Sequence, residues 1–315
     1  MLVAFDRRRF LSLAAAAGAA SLMPRTIVGQ TAIPERIAQG RILAAKTPVT
    51  TTRLADNVYL LQGFGGNMVL QTGSQGNLLI DSSFSTSVGK VLAAIHAVSQ
   101  DAPHTLINTH WHYDHTDGNE GMHAAGFTIL AHSKTKERLS TTQFIPFFHM
   151  TVPPDPAGSL PTITFDETKL IAHNGDVLDL AHYDPAHTDT DIYIRFHRAD
   201  VLHVGDIFFN GIYPFIDEAS MGNIGGMISA SEKALSLAGA NTRIVPGHGP
   251  LADKPQLQAY HEMLVTVRER VAKLKNSGAS EQEAVAKKPT ADFDATWGKG
   301  TFNGDAFTGL VYRTL

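Results

Sequence analysis

The sequence predicts a single α/β sandwich domain, and three observations carry that expectation. Short apolar runs bounded by turn residues recur from Val58 onward, the pattern of buried strands. They fall into two blocks, with helix-period stretches between and after them, as a layered α/β domain requires. The chain has 315 residues, 43% hydrophobic and 18% charged, enough to bury a large core without covalent staples.

Residues 1–32 stand apart from this pattern. Asp6-Arg7-Arg8-Arg9-Phe10-Leu11 resembles a twin-arginine export signal, and an alanine-rich apolar run from Leu11 to Met23 follows. That run is too short to be a permanent membrane span, but it suits the apolar core of a signal peptide. No small-x-small cleavage site stands out, so the cut is not placed. The expectation is a periplasmic or secreted protein with no permanent membrane anchor. Residues 33–50 read as a polar leader without strong periodicity, and 51–315 as the catalytic domain.

Within that domain, Asn57–Gln62, Asn67–Gln71 and Asn77–Asp81 read as strands joined by glycine-rich turns. Ser87–Val98 reads as a helix with Val88, Leu92, Ile95 and Val98 on one face. Thr105–Asn108 and Phe127–Ala131 are short buried strands. Thr142–Pro161, rich in Phe and Pro, reads as a long loop that could act as a lid. The second block predicts strands at Lys169–His173, Asp176–Leu180, Ile192–Phe196 and Val201–Val204. Helices follow at Asn223–Leu237 and Pro255–Asn276, the latter with proline in its first turn.

The net charge is −4 and the basic residues are scattered, so no nucleic-acid footprint is expected; the expected partner is a small-molecule substrate. There are no cysteines, which excludes disulfides, thiolate metal sites and a cysteine nucleophile. Any metal site must use histidine and carboxylate, and the 15 histidines make their placement informative. His110-Trp111-His112-Tyr113-Asp114-His115 puts four metal-ligand side chains in six residues directly after a short strand. In an extended segment, side chains two apart point the same way, so His110, His112 and Asp114 converge while His115 turns toward a neighbouring position.

His-x-His-x-Asp-His after a short strand resembles the signature of the metallo-β-lactamase-fold superfamily. Further landmarks of that family follow in order: His187 in Ala-His-Thr-Asp, Asp206 in Val-Gly-Asp, and His248 in Pro-Gly-His-Gly. Asp81, closing the strand Leu-Leu-Ile-Asp, matches a supporting acid. The resemblance covers roughly residues 50–250. It implies an αββα sandwich of two mixed β-sheets flanked by helices. It also implies two metal ions, with His110, His112 and His187 on the first, Asp114, His115 and His248 on the second, and Asp206 bridging.

Zinc suits these donors, with iron or manganese as alternatives. Two such ions about 3.5–4 Å apart would share a water, lower its pKa toward neutrality and polarise a carbonyl. Asp114 would also orient that water. The expected chemistry is hydrolysis of an ester, lactone, thioester or amide. The bridging acid resembles the glyoxalase II-like ligand set rather than that of β-lactamases proper. The second-site pair His115 and His248 argues against a single-iron persulfide-type dioxygenase of the same fold. Tyr213, in the aromatic stretch after Asp206, is a candidate oxyanion donor. His149, in the long loop, is a candidate substrate contact. Phe208 and Phe209 read as core, and His123, His132, His173, His182, His197, His203 and His261 as structural or surface residues.

Overall fold

A computed structural model describes residues 33–315. The expected export signal, residues 1–32, lies outside them. Where a polar leader is expected, Glu35–Lys46 forms a helix, α1. Only Ile37, Gly40 and Ala44 of it are buried, so no apolar stripe marks it in the sequence. Tertiary contacts hold it instead. Arg41 pairs with Asp117, Nε to Oδ2 at 2.9 Å, and the Lys90 ammonium donates to the carbonyls of Ala45 and Thr47 at 2.9 and 2.5 Å.

Strands β1 (Thr50–Ala55), β2 (Val58–Gln62), β3 (Met68–Gln71) and β4 (Asn77–Ile80) form an antiparallel meander. Helix α2 (Val88–Val98) crosses to β5 (Pro103–Ile107), which runs parallel to β4. Two short helices, α3 (Tyr113–Thr116) and α4 (Asn119–Ala124), lead to β6 (Thr128–His132), parallel to β5. After α5 (Ser133–Leu139), a separate hairpin of β7 (Gln143–Ile145) and β8 (Met150–Val152) precedes β9 (Ile163–Phe165). The first sheet has the order β1-β2-β3-β4-β5-β6-β9.

The second sheet has the order β10-β11-β12-β13-β14: β10 (Thr168–His173), β11 (Asp176–His182), β12 (Ile192–Phe196), β13 (Val201–Phe209) and β14 (Arg243–His248). All its pairs are antiparallel except β13 with β14, which helix α6 (Ile224–Leu237) connects. Helix α7 (Lys254–Asn276) opens on an Asp253–Gln256 capping box. Helices α8 (Glu281–Ala286), α9 (Asp294–Trp297) and α10 (Gly304–Arg313) close the chain.

The sheets pack face to face through Leu60, Val69, Leu78 and Ile80 on one side and Leu180, Ile194, Phe196 and Val245 on the other. Leu79, Leu106 and Ile129 point to the opposite face, onto α2 and α4. Phe208, Met227, Tyr260 and Leu264 belong to the layer of α6 and α7 against the second sheet. The result is the expected αββα sandwich, with central strands buried on both faces and hence apolar at nearly every position. On α2 the predicted face packs on this core, with Ile95 fully buried and Val88, Leu92 and Val98 partly buried, and Val91 joins it as a second fully buried position.

Strand β13 runs on to Phe209, beyond the predicted end at Val204. The long segment 142–161 is no irregular loop. It contains the β7–β8 hairpin, whose Phe147 and Phe148 pack against Phe215 and Phe302. No helix among the described residues is long and apolar enough to cross a membrane.

Candidate metal centre

The site lies where strand ends of both sheets meet. Strand β5 runs out through Asn108 and Thr109 into His110, and the chain turns into α3 at His112. His187 sits in the β11–β12 loop, pinned because Asp191 accepts from the His187 N–H, the Thr188 N–H and the Thr188 hydroxyl at 2.8, 2.8 and 2.6 Å. Asp206 lies within β13 at a break in its register with β14. Gly205 there has φ +57°, a left-handed conformation that suits glycine and re-aims the next side chain. His248 ends β14. Asn67 ties the first sheet to this point, its N–H donating to Gly247 O at 2.8 Å and its amide to Pro246 O at 2.9 Å.

Two groups of donor atoms result, and within each group all atoms lie within 4.8 Å of one another. One is His110, His112, His187 and Asp206, all buried; the other is Asp114, His115 and His248. His112 Nδ1 lies 2.8 Å from His187 Nε2, and His115 Nε2 lies 3.3 Å from His248 Nε2. Asp206 touches both groups. Its Oδ1 is 3.1 Å from His115 Nε2, and its Oδ2 is 3.3 Å from His248 Nε2 and 3.5 Å from His187 Nε2. Asp114 Oδ2 lies 3.2 Å from His248 Nε2. Gly247 permits this closeness, since a Cβ there would fall 1.8 Å from Asp206 Oδ1.

The outer atoms of the histidines are occupied and aim the inner ones. Asp81 Oδ2 is 2.7 Å from His115 Nδ1, and the same carboxylate accepts from the Thr109 N–H and hydroxyl at 2.8 Å each. Asp81 has φ +60°, a strained conformation held by these bonds. His187 Nδ1 lies 2.9 Å from the Phe215 carbonyl. His112 Nε2 lies 3.0 Å from Asp217 Oδ2, which also accepts from the Ser220 hydroxyl at 2.7 Å. With these outer nitrogens engaged, the rings of His115, His187 and His112 are held with their inner nitrogens toward the centre.

The electrostatics follow from burial and mutual proximity. Burial, reinforced by nearby His115, holds His110 well below the usual imidazole range. Burial also lowers His187 to about 4, against the pull of Asp206. These rings are neutral donors at neutral pH. Burial opposes charge on His115 and His248 too, but there the surrounding carboxylates, Asp206 foremost, outweigh it. They raise His115 well above the usual range and His248 to about 9. Burial would raise Asp206 and Asp114, yet the facing histidines hold both below the usual carboxylate range, so both are anions.

The donor set fits divalent cations. His110 Nε2 and Asp206 Oδ1 are buried and make no hydrogen bond, an arrangement that is unfavourable unless a cation satisfies them. Seven convergent nitrogen and oxygen donors, with no thiolate, match zinc-type coordination. An open cleft lies over these atoms, walled by Phe148, Phe209, Phe215 and Phe302.

A family model described as the metallo-beta-lactamase superfamily matches residues 61–249. The chain belongs to that superfamily. This superfamily member is a hydrolase by class, with a His/Asp cluster suited to metal. No curated protein matches it. Its fold is similar to that of a metallo-beta-lactamase from Pontibacter korlensis, at 16% identity and TM-score 0.57 over 69% of this chain and 98% of that one. The DIM-1 metallo-beta-lactamase gives 14% and 0.56 over 70% and 99%. The stereoselective inverting sec-alkylsulfatase Pisa1 from Pseudomonas sp. gives 14% and 0.63, over 88% of this chain but 51% of that one. At these identities the likeness is one of fold.

Two expected substrate contacts are corrected. Tyr213 lines the cavity, but its hydroxyl donates to Asp294 Oδ1 at 2.9 Å and lies 3.3 Å from the Thr290 carbonyl, so that hydroxyl is engaged with the C-terminal segment rather than free for an oxyanion. His149 is an exposed residue in left-handed conformation at the hairpin turn and does not line the cavity; its neighbour Phe148 does. Phe208 is core, against Tyr260, but Phe209 stacks on His248 at 5.2 Å and walls the site. Asp217, Tyr113 and Arg36 were not legible as site residues. Asp217 ends the aromatic stretch after Asp206, and a lone buried-type acid there was the available signal.

Proposed function

We propose that the chain is a dinuclear metal-dependent hydrolase, zinc-loaded, that cleaves an ester, lactone, thioester or amide bond of a small molecule. The observation that carries this reading is the pair of adjacent donor groups shared by one buried carboxylate, Asp206. His110, His112 and His187 would hold one ion, and Asp114, His115 and His248 the other. Two divalent ions there would supply a water of near-neutral pKa and Lewis-acid polarisation of the scissile carbonyl. The protein's part is to hold and aim. Asp81 and Asp217 fix the rings of His115 and His112, and the phenylalanine walls limit bulk water. Asp114, its side chain 23% exposed at the cavity floor, is placed to accept a hydrogen bond from the attacking water.

The test is metal analysis with a hydrolysis screen. The screen includes a β-lactam and a secondary alkyl sulfate, the chemistries named for the fold relatives, beside lactone, thioester and aryl ester substrates. About two zinc per chain and hydrolysis lost by at least a hundredfold in Asp114→Ala are expected. One iron per chain with thiol-dependent oxygen uptake, or activity surviving Asp114→Ala, would overturn the reading. We further propose export by the twin-arginine route. A reporter fused to residues 1–35 should stay in the cytoplasm once Arg7 and Arg8 are replaced by Lys; unchanged export removes the proposal.

A further inference from the structure

The outer wall of the cavity comes from segments beyond the family-matched residues 61–249. Helix α1 supplies Arg36, and the stretch before α10 supplies Thr301 and Phe302. Arg36 is the one Lys or Arg in that lining among the described residues.

Two contacts set the plane of its guanidinium. The Nε–H donates to the Tyr113 hydroxyl at 3.0 Å, and the central carbon sits 3.8 Å from the centroid of the Phe148 ring. Tyr113 lies between His112 and Asp114 in the chain, so the guanidinium is tethered beside donors of both groups. Arg41 on the same helix offers a contrast. It is paired through both Nε and Nη2 with Asp117, a structural clamp. No described residue accepts from Nη1 or Nη2 of Arg36. An arginine oriented through Nε, with its outer nitrogens unpaired, presents two donors in one plane to an oxyanion. Beside it the walls are apolar, with Phe215 and Phe302 stacked at 5.6 Å and 9° between planes.

We propose that Arg36 is a specificity residue that binds an anionic substituent of the substrate, a carboxylate or a sulfonate-type group. The apolar body of that substrate lies along Phe148, Phe215 and Phe302, and its scissile bond lies over the metal donors. The inference rests on the hydrolase reading for the scissile bond and on Arg36 alone for the charge. The helix that carries it lies outside the matched family domain, so this preference belongs to the chain rather than to the fold.

The test uses the zinc-loaded protein and matched aryl esters whose acyl chains end in a carboxylate, a sulfonate or a neutral carboxamide. Bound ions attract any anion equally in wild type and variant, so the charged-to-neutral ratio of kcat/KM isolates Arg36. Arg36→Ala should lower that ratio roughly tenfold to a hundredfold, mainly through KM, the scale of a charge-assisted pair. Arg36→Lys should recover part of it, and comparison of the carboxylate and sulfonate arms shows which anion is preferred. Arg36→Met, which keeps a stem over Phe148, serves where Arg36→Ala does not fold. A ratio unchanged in the folded variants overturns the inference and leaves the hydrolase reading intact. Should the wild type cleave none of the esters, that reading fails for esters. Calorimetric binding of a phenylalkanoate then tests Arg36 by itself, and equal affinity in wild type and variant overturns it.

Discussion

At the scale of single residues, the acids in and around the centre are held in different charge states. Asp206 and Asp114 face histidines and are held ionised. Asp155 is the counter-example. Burial, with Asp117 alongside, pushes its carboxyl up to about 7, and Arg41 only partly offsets this. The folded protein therefore binds that proton more tightly than the unfolded chain does. The stability it contributes is present at low pH and is lost as pH rises from about 4 to about 7. Asp155→Asn should then be more stable than wild type at pH 8, by about 1–2 kcal/mol given the partial exposure of the site. The gap should close near pH 4. Urea unfolding at the two pH values measures it, and a gap that widens in acid would contradict the assignment. The His-x-His-x-Asp-His run was legible because four ligand side chains in six residues have no ordinary structural explanation. Tyr213 was misread because an aromatic hydroxyl near an active-site acid looks the same in sequence whether it faces substrate or, as here, Asp294.

At the scale of elements, strand ends do the positioning. Strand β14 must bring His248 past Asp206 with almost no clearance, and Gly247 makes that possible. Gly247→Ala should displace the Asp206 carboxylate, lower bound metal below two per chain and reduce hydrolysis at least tenfold. The fold should persist, because the substituted position lies at the end of the strand. Metal analysis beside a thermal melt checks this; full metal content in the variant would show that the carboxylate can move without loss. Strand and helix periodicity exposed most elements of both sheets, but α1 escaped it. Its buried face consists of Ile37, Gly40 and Ala44, and ion pairs and carbonyl contacts supply the rest of its attachment. Such an element has no stripe to read. The β7–β8 hairpin escaped for a similar reason, since three-residue strands among prolines carry too little alternation.

At the scale of the whole molecule, the centre joins the two sheets, and metal should stabilise their union. His110 and His115 follow the first sheet, while Asp206 and His248 belong to the second. Chelation should lower Tm by roughly 5–15 °C and zinc should restore it, the scale expected when a ligand binds only the folded state. An unchanged Tm after verified metal removal would mean that hydrogen bonds such as Asn67 to Gly247 carry the junction alone. By itself, the sequence determined the fold class and the run His110, His112, Asp114 and His115, because apolar periodicity and clustered ligand chemistry are local and read directly along the chain, while His187, Asp206 and His248 were expected from the family resemblance. Only the tertiary structure decided that Asp217 joins Asp81 in steadying those donors, which aromatics wall the cavity and that α1 sets Arg36 at its mouth. Those relations join residues distant in sequence, such as Arg36 with Phe148 and His112 with Asp217, and no local pattern encodes which side chain a folded neighbour will meet.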